Sequence, residues 1–188
     1  MPQAAVIDTP QDVIAFLKAQ HEQIRALFAE VRGAAGKERE DAFVRLRRLL
    51  AVHETAEEEV VHPRARRELQ YGDAIVTRRL HEETGAKEVL AQLEKLDVDG
   101  PEFTEQLASL EHDVLAHAQA EEQEEFALLR EELDDVQLQR MRRAVAFAEK
   151  VAPTRPHPGV TLAGENFLAG PFATMLDRAR DAITGKRG

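Results

Sequence analysis

Two stretches of this chain repeat one donor pattern: His53-Glu54-Thr55-Ala56-Glu57 and His117-Ala118-Gln119-Ala120-Glu121, each a His followed four residues later by a Glu. Four residues make about one helical turn, so each pair shares a face. That face is otherwise apolar. Phe43, Leu46, Leu50, His53, Glu57 and Val60 follow alternating steps of three and four. Phe103, Leu107, Leu110, Val114, His117, Glu121, Glu124 and Leu128 do the same. Two imidazoles and two carboxylates are therefore predicted to point into a core. An ionised carboxylate buried without a partner costs several kcal/mol, and a metal ion is the simplest partner both could share.

Two more His residues extend the set. His21 lies on the stripe Ile14, Leu17, His21, Ile24, Phe28 and Val31, and should point inward. His81 falls on or beside a broader apolar face made by Ile75, Leu80, Val89, Leu93 and Leu96. Other polar residues in these segments are predicted to face solvent: His62 beside Pro63, His112, Glu58, Glu122, Gln123 and Glu125. His157 sits in a Pro-rich stretch and is expected to be solvated. The single tyrosine, Tyr71, follows Glu57 by 14 residues, about 20 Å along a continuous helix, too far to ligate.

Four helical segments must position these groups. The first begins near Asp8-Thr9-Pro10 and ends near Gly33 to Gly36; the second runs from about Glu38 towards Tyr71-Gly72, with a kink or break at Pro63. Asp73 should cap the third, which stops at Asp97 to Pro101, and the fourth continues to about Glu132. Short connections between long helices predict an all-α, up-down antiparallel four-helix bundle over residues 1–132. A fifth helix over 133–152 offers Leu138, Met141, Val145, Phe147 and Ala148 for packing. Residues 153–188 read as a Pro/Gly-containing connector and a short C-terminal helix, with Phe172, Met175, Leu176, Ala179 and Ile183 on one face. These C-terminal helices are the candidate surface for a homodimer.

The halves repeat. A step of 64 residues separates His53 from His117 and Glu57 from Glu121, and 60 separates His21 from His81. A duplicated helical hairpin would place two metals between two shared carboxylates.

Composition narrows the function. The chain has 188 residues, no Cys and a formal net charge of −10. Without thiols, any metal must be held by nitrogen and oxygen, and thiol redox chemistry is excluded. The acidic balance argues against a nucleic-acid partner. No apolar run is long enough to span a membrane, and Met1 to Pro10 lacks the pattern of a secretory signal, so a cytoplasmic protein without a membrane partner is expected.

Over roughly residues 10–130 the ordered set His21, His53 with Glu57, His81, and His117 with Glu121 resembles the hemerythrin-like, or HHE cation-binding, domains. The resemblance implies a four-helix bundle of the hemerythrin type holding two iron ions, with an oxo or hydroxo bridge in the oxidised state. It further implies that Glu57 and Glu121 bridge, and that His21, His53, His81 and His117 are terminal ligands. Glu54 matches an additional carboxylate ligand seen in some members. The chain departs from the oxygen-carrying members in having Gly85 four residues after His81, where they carry a second His, and a shorter His-to-carboxylate spacing on the fourth helix. Handling of a peroxide, nitric oxide or dioxygen ligand is thereby favoured over reversible oxygen transport, with catalase- or peroxidase-like chemistry and a role in oxidative stress. An iron, oxygen or redox sensor without turnover, and an iron storage or delivery protein, are the competing readings. A purely structural buried polar network is the plainest alternative.

Overall fold

The computed structural model describes residues 12–152, and all the regular structure among them is helical. In chain order the elements are α1 (Val13–Gly33), α2 (Gly36–Ala56), a π turn (Glu57–Val61), α3 (His62–Glu68), α4 (Gly72–Leu93), α5 (Pro101–Ala120), a second π turn (Glu121–Glu125), α6 (Phe126–Glu132) and α7 (Asp135–Val151). The backbone stays right-handed helical where each π turn begins and ends. α2 with α3, and α5 with α6, therefore each continue as one arm. Together with α1 and α4 they form the four-helix bundle, and α7 packs on α1, α2 and the first π turn.

Capping accounts for several ends. The Asp12 carboxylate accepts from the Ala15 N–H at 3.0 Å and pairs with Arg130 at 3.0 Å, tying the start of α1 to α6. Asp134 and Gln137 form a reciprocal capping box at the start of α7. The start of α4 differs from expectation: Tyr71, at φ 65°, is its N-cap, while Asp73 lies inside the first turn and does not cap. Gly72 is needed there because a Cβ would stand 2.3 Å from the Ala65 carbonyl oxygen. α4 also ends earlier than expected, at Leu93.

Apolar packing divides into two clusters with the polar residues between them. One contains Leu17, Val61, Ala65, Val76, Phe126, Leu129 and Leu138; the other contains Ile24, Phe28, Leu46, Leu50, Leu90, Phe103 and Leu110. On α1, His21 sits between Leu17 of the first and Ile24 of the second. The bundle is thus clamped at both ends by apolar cores, and its polar middle is held by helices that cannot easily shift.

The two π turns change which residues face inward. A π turn takes in one more residue than an α turn, so the phase beyond it slips by one position. The expected Val60 is half-buried while Val61 is buried, and the expected Glu124 and Leu128 give way to Glu125 and Leu129. The break predicted at Pro63 is replaced by this bulge, with Pro63 in the first turn of α3. The same slip turns His62, Glu58 and Glu125 inward, against the expectation that they face solvent.

On α7 the buried face is Leu138, Met141, Val145 and Ala148; Phe147, expected to pack, is 68% exposed. The connector and short C-terminal helix expected over 153–188 lie outside the described residues, as does His157. Among the described residues no helix is long and apolar enough to cross a membrane.

Candidate metal centre

Each His-x-x-x-Glu pair stands at the junction of an α-helix with a π turn, the Glu being the first residue of the turn. π turns occur often at functional sites because they let a side chain leave the regular stripe. Here they bring two sets of donor atoms together, each set within 4.8 Å of one another: His21, His53, Glu57 and Glu121, and Glu57, Glu83, His117 and Glu121. Glu57 and Glu121 belong to both. They are fully buried.

The ring nitrogens are sorted. His21 Nδ1 lies 2.8 Å from Glu122 Oε1, His53 Nδ1 lies 2.9 Å from Gln20 Oε1, and His117 Nδ1 lies 2.8 Å from Glu82 Oε2. Each of these oxygens is an acceptor, so each Nδ1 carries a proton and donates, which leaves Nε2 as the nitrogen that can face a metal. Although burial opposes it, Glu121 and Glu82 hold His117 well above the ordinary imidazole range, which favours a proton on its Nε2 until a cation displaces it. The three Nε2 atoms turn to the shared carboxylates: His53 to Glu57 at 3.3 Å, His21 to Glu121 at 3.4 Å, His117 to Glu121 at 3.3 Å. His21 and His53 also bring their Nε2 atoms within 3.1 Å of each other. With both Nδ1 positions protonated, that contact sets two lone pairs face to face unless a cation or proton lies between them.

The outer acceptors are themselves anchored. Glu122 pairs with Lys18 at 3.2 Å and Glu82 with Arg79 at 2.6 Å. Gln20 donates its amide N–H to Glu149 on α7 at 2.6 Å, which keeps its carbonyl oxygen towards His53. Fixing the far nitrogen of a ligating His in this way is how metal sites orient their imidazoles.

Both oxygens of Glu57, both of Glu121, Glu83 Oε2 and His117 Nε2 are buried without a hydrogen-bond partner. Buried polar atoms normally find partners, and several unpartnered donors converging on one point form the arrangement that a shared cation would satisfy. The donor types, imidazole nitrogen and carboxylate oxygen, suit iron, manganese or zinc.

Electrostatics agree. Burial, then the neighbouring Glu121 charge, pushes Glu57 well above the usual carboxylate range. Burial would raise Glu121 too, but His117 and His21 outweigh it and hold it well below that range. Burial, then the neighbouring His21, pushes His53 down to about 3. The pair thus resists carrying two negative charges, with Glu57 favouring its protonated form and Glu121 its ionised one, and a cation between them would favour ionisation of both.

The placement of the expected residues is uneven. His21, His53, Glu57, His117 and Glu121 converge. His81, expected on or beside the inner face and as a ligand, is solvent-exposed and belongs to neither donor set. The inner face of α4 is Ile75, Val76, Arg79, Glu83, Leu90 and Leu93. His81 precedes Glu83 by two residues, about 200° around the helix. Two charged residues in the stripe hid its phase. Glu54 is buried but outside both sets, 3.8 Å from Lys87, and burial raises its carboxyl to about 8 against the pull of Lys87.

Sequence reasoning missed Glu83 and the residues that hold it. His62 Nε2 contacts Glu83 at 2.7 Å and its Nδ1 contacts Glu125 at 3.0 Å, both buried. Although burial opposes it, these two carboxylates raise His62 well above the ordinary imidazole range. Lys87 lies 3.7 Å from Glu83 and pairs with Glu58. The one available signal was Glu59-Val60-Val61-His62, a Glu-x-x-His whose His becomes inward-facing only through the π turn. His112 is exposed, as expected, and Tyr71, placed too far along the helix to ligate, is 74% exposed.

Beside the donors lies a cavity of about 370 Å³, lined by His21, His53, Glu83 and His117 and by apolar walls including Ile24, Leu50 and Val114. His81 and Gly85 also line it.

The model of the hemerythrin HHE cation-binding domain matches residues 12–129, most of the described bundle. The chain belongs to the hemerythrin HHE cation-binding domain family. Its architecture is shared with the crystal structure of a hemerythrin HHE cation-binding domain-containing protein from Mycobacterium kansasii, at a TM-score of 0.66 and 20% identity over 74% of this chain and 85% of that one. A protein of Nostoc sp. (strain PCC 7120) named DNA nickase is 30% identical over 128 residues, 68% of this chain. This HHE chain spans only 35% of that relative's length.

Proposed function

We propose that this HHE domain is a non-haem di-iron protein that reacts with small oxidants such as peroxide, nitric oxide or dioxygen. One observation carries the reading: four oxygens of two fully buried carboxylates have no hydrogen-bond partner and face the Nε2 atoms of three imidazoles oriented from behind. In it Glu57 and Glu121 would be shared by the two ions, His21 and His53 would hold one, and His117 with Glu83 would hold the other. Bound iron would supply Lewis acidity and two electrons for an incoming oxidant.

The chain's own residues set the terms of that chemistry. Glu122, Gln20 and Glu82 hold the imidazole tautomers so that every Nε2 is available. His62 and Lys87 hold Glu83 in place from the far side. The cavity gives a small molecule access to donors of both sets, His21 and His53 as well as Glu83 and His117, while the apolar clusters seal both ends of the bundle. Elemental analysis of protein expressed with iron should give close to two irons per chain, and the reduced protein should react with hydrogen peroxide or nitric oxide within one turnover. Negligible iron would overturn the reading.

A sensor is the second reading, favoured by the link from His53 through Gln20 to Glu149 on α7. A change in hydrogen exchange of α7 with oxidation state, without turnover, would favour it. Rapid release of iron to a chelator would instead favour storage or delivery. Nicking of DNA is not proposed for this chain, whose net charge is −10; supercoiled plasmid should survive incubation with the iron-loaded protein.

A further inference from the structure

We propose that the cavity beside the donor set binds the uncharged apolar tail of an organic hydroperoxide and sets its O–O head against the imidazole and carboxylate donors that line it. The inference rests on the oxidant reading above and names its substrate class.

Size is the first argument. At about 370 Å³ the cavity falls in the range of sites that enclose small organic ligands. A water molecule occupies about 30 Å³ of liquid, so a diatomic or hydrogen peroxide would fill only a small part of the space. Its walls are the second. Ile24, Leu50, Val114 and Ala86 provide apolar surface, and the polar side chains gather at the donor set and beside it. An apolar body with one oxygen-bearing end matches that division.

Charge is the third. Four acidic residues, Glu54, Glu82, Glu83 and Asp113, and no Lys or Arg are among the lining residues, so nothing there pairs with a substrate whose tail ends in a carboxylate. Gly85 completes the argument, because a Cβ built on it meets nothing within 4 Å. Gly85 lines the cavity from α4, so a larger side chain there has room to reduce it. Reduction of such a hydroperoxide, ROOH, gives ROH and water: the O–O bond takes two electrons from the iron(II) pair and two protons from solvent.

Gly85→Leu is the test, since the added side chain enters free space and leucine favours a helix interior more than glycine. In the full chain loaded with zinc as a diamagnetic stand-in, 2-phenyl-2-propanol should give saturable shifts of the Ile24, Leu50 and Val114 methyl signals. Gly85→Leu should weaken that binding about ten-fold or more, the scale of a few methylene groups in a pocket. In stopped flow with the iron(II) protein, the rate ratio of cumene hydroperoxide to hydrogen peroxide should fall by a similar factor in the variant. Absence of saturable shifts, or an equal ratio in both proteins, overturns the proposal. Saturable alcohol binding with no reaction towards either peroxide overturns the oxidant reading, and with it the substrate, while the cavity's ligand class stands.

Discussion

The two donor sets share Glu57 and Glu121 but differ in everything else. The His21 and His53 set lies wholly buried, with two imidazoles from α1 and α2. The set with His117 and Glu83 has one imidazole and three carboxylates, and His117 is only partly buried. The outer partners differ as well. His21 and His117 donate to carboxylates tied to Lys18 and Arg79, whereas His53 donates to a neutral amide whose orientation depends on Glu149. A wholly buried, nitrogen-rich position suits retention of an ion, and an oxygen-rich position whose imidazole is only partly buried suits exchange of ligands. The difference teaches that a duplicated motif need not produce two equal sites, because α4 supplies a carboxylate in the second set where α1 supplies an imidazole in the first.

The comparison breaks most completely at the shared carboxylates. Glu57→Leu should abolish binding of both ions, while the metal-free protein becomes more stable by about 1–3 kcal/mol, since an orphaned buried carboxyl is removed; elemental analysis and thermal melts in the presence of chelator read the two effects. Loss of one ion alone would refute the bridging assignment. His117→Ala should separate the sets, leaving close to one iron per chain and removing the visible absorption of the pair. Full iron in that variant would sink the assignment. Glu83→Gln should weaken the second ion alone, by at least the roughly 10–100-fold that outer partners contribute, seen as two-step release to a competing chelator.

Smaller effects sharpen the contrast between the outer partners. Gln20→Ala should lower affinity at the first position about 10–100-fold, and Glu149→Ala by about ten-fold or less, because the amide loses its anchor but not its reach. An unchanged chelator titration in Gln20→Ala would show that His53 needs no acceptor. At the bottom of the scale, His112→Ala and His81→Ala should leave iron content intact and shift stability by no more than about 0.5 kcal/mol, as exposed sites do. A one-iron product from His81→Ala would mean that His81 turns in when metal binds and that Glu83 is the lesser ligand.

Much of the site was legible because core periodicity is strict on α1, α2 and the first half of the fourth arm. His21 stands between Leu17 and Ile24, and His53 follows Leu50, so their direction could be read from apolar neighbours alone. Legibility stopped at the two π turns. Val61, His62, Glu125 and Leu129 each face inward one residue later than α-helical phase requires. On α4 it stopped for another reason: Arg79 and Glu83 occupy inward positions, so hydrophobicity could not reveal the stripe, and His81 was placed on the wrong side. Glu83 became visible as a donor only when His62 was seen holding it.

Sequence alone determined the all-α bundle, the repeated His-x-x-x-Glu pairs, the nitrogen-and-oxygen donor chemistry and five residues of the converging set. Those follow from local spacing, which a helix converts directly into faces. Only the tertiary structure decided that Glu83 joins that set while His81 stays outside, that Gln20, Glu82 and Glu122 fix the imidazole tautomers, and that α7 reaches the site through Glu149. The reason is physical: such contacts join residues as far apart as Gln20 and Glu149, and their geometry depends on how helices pack and where π turns shift their phase.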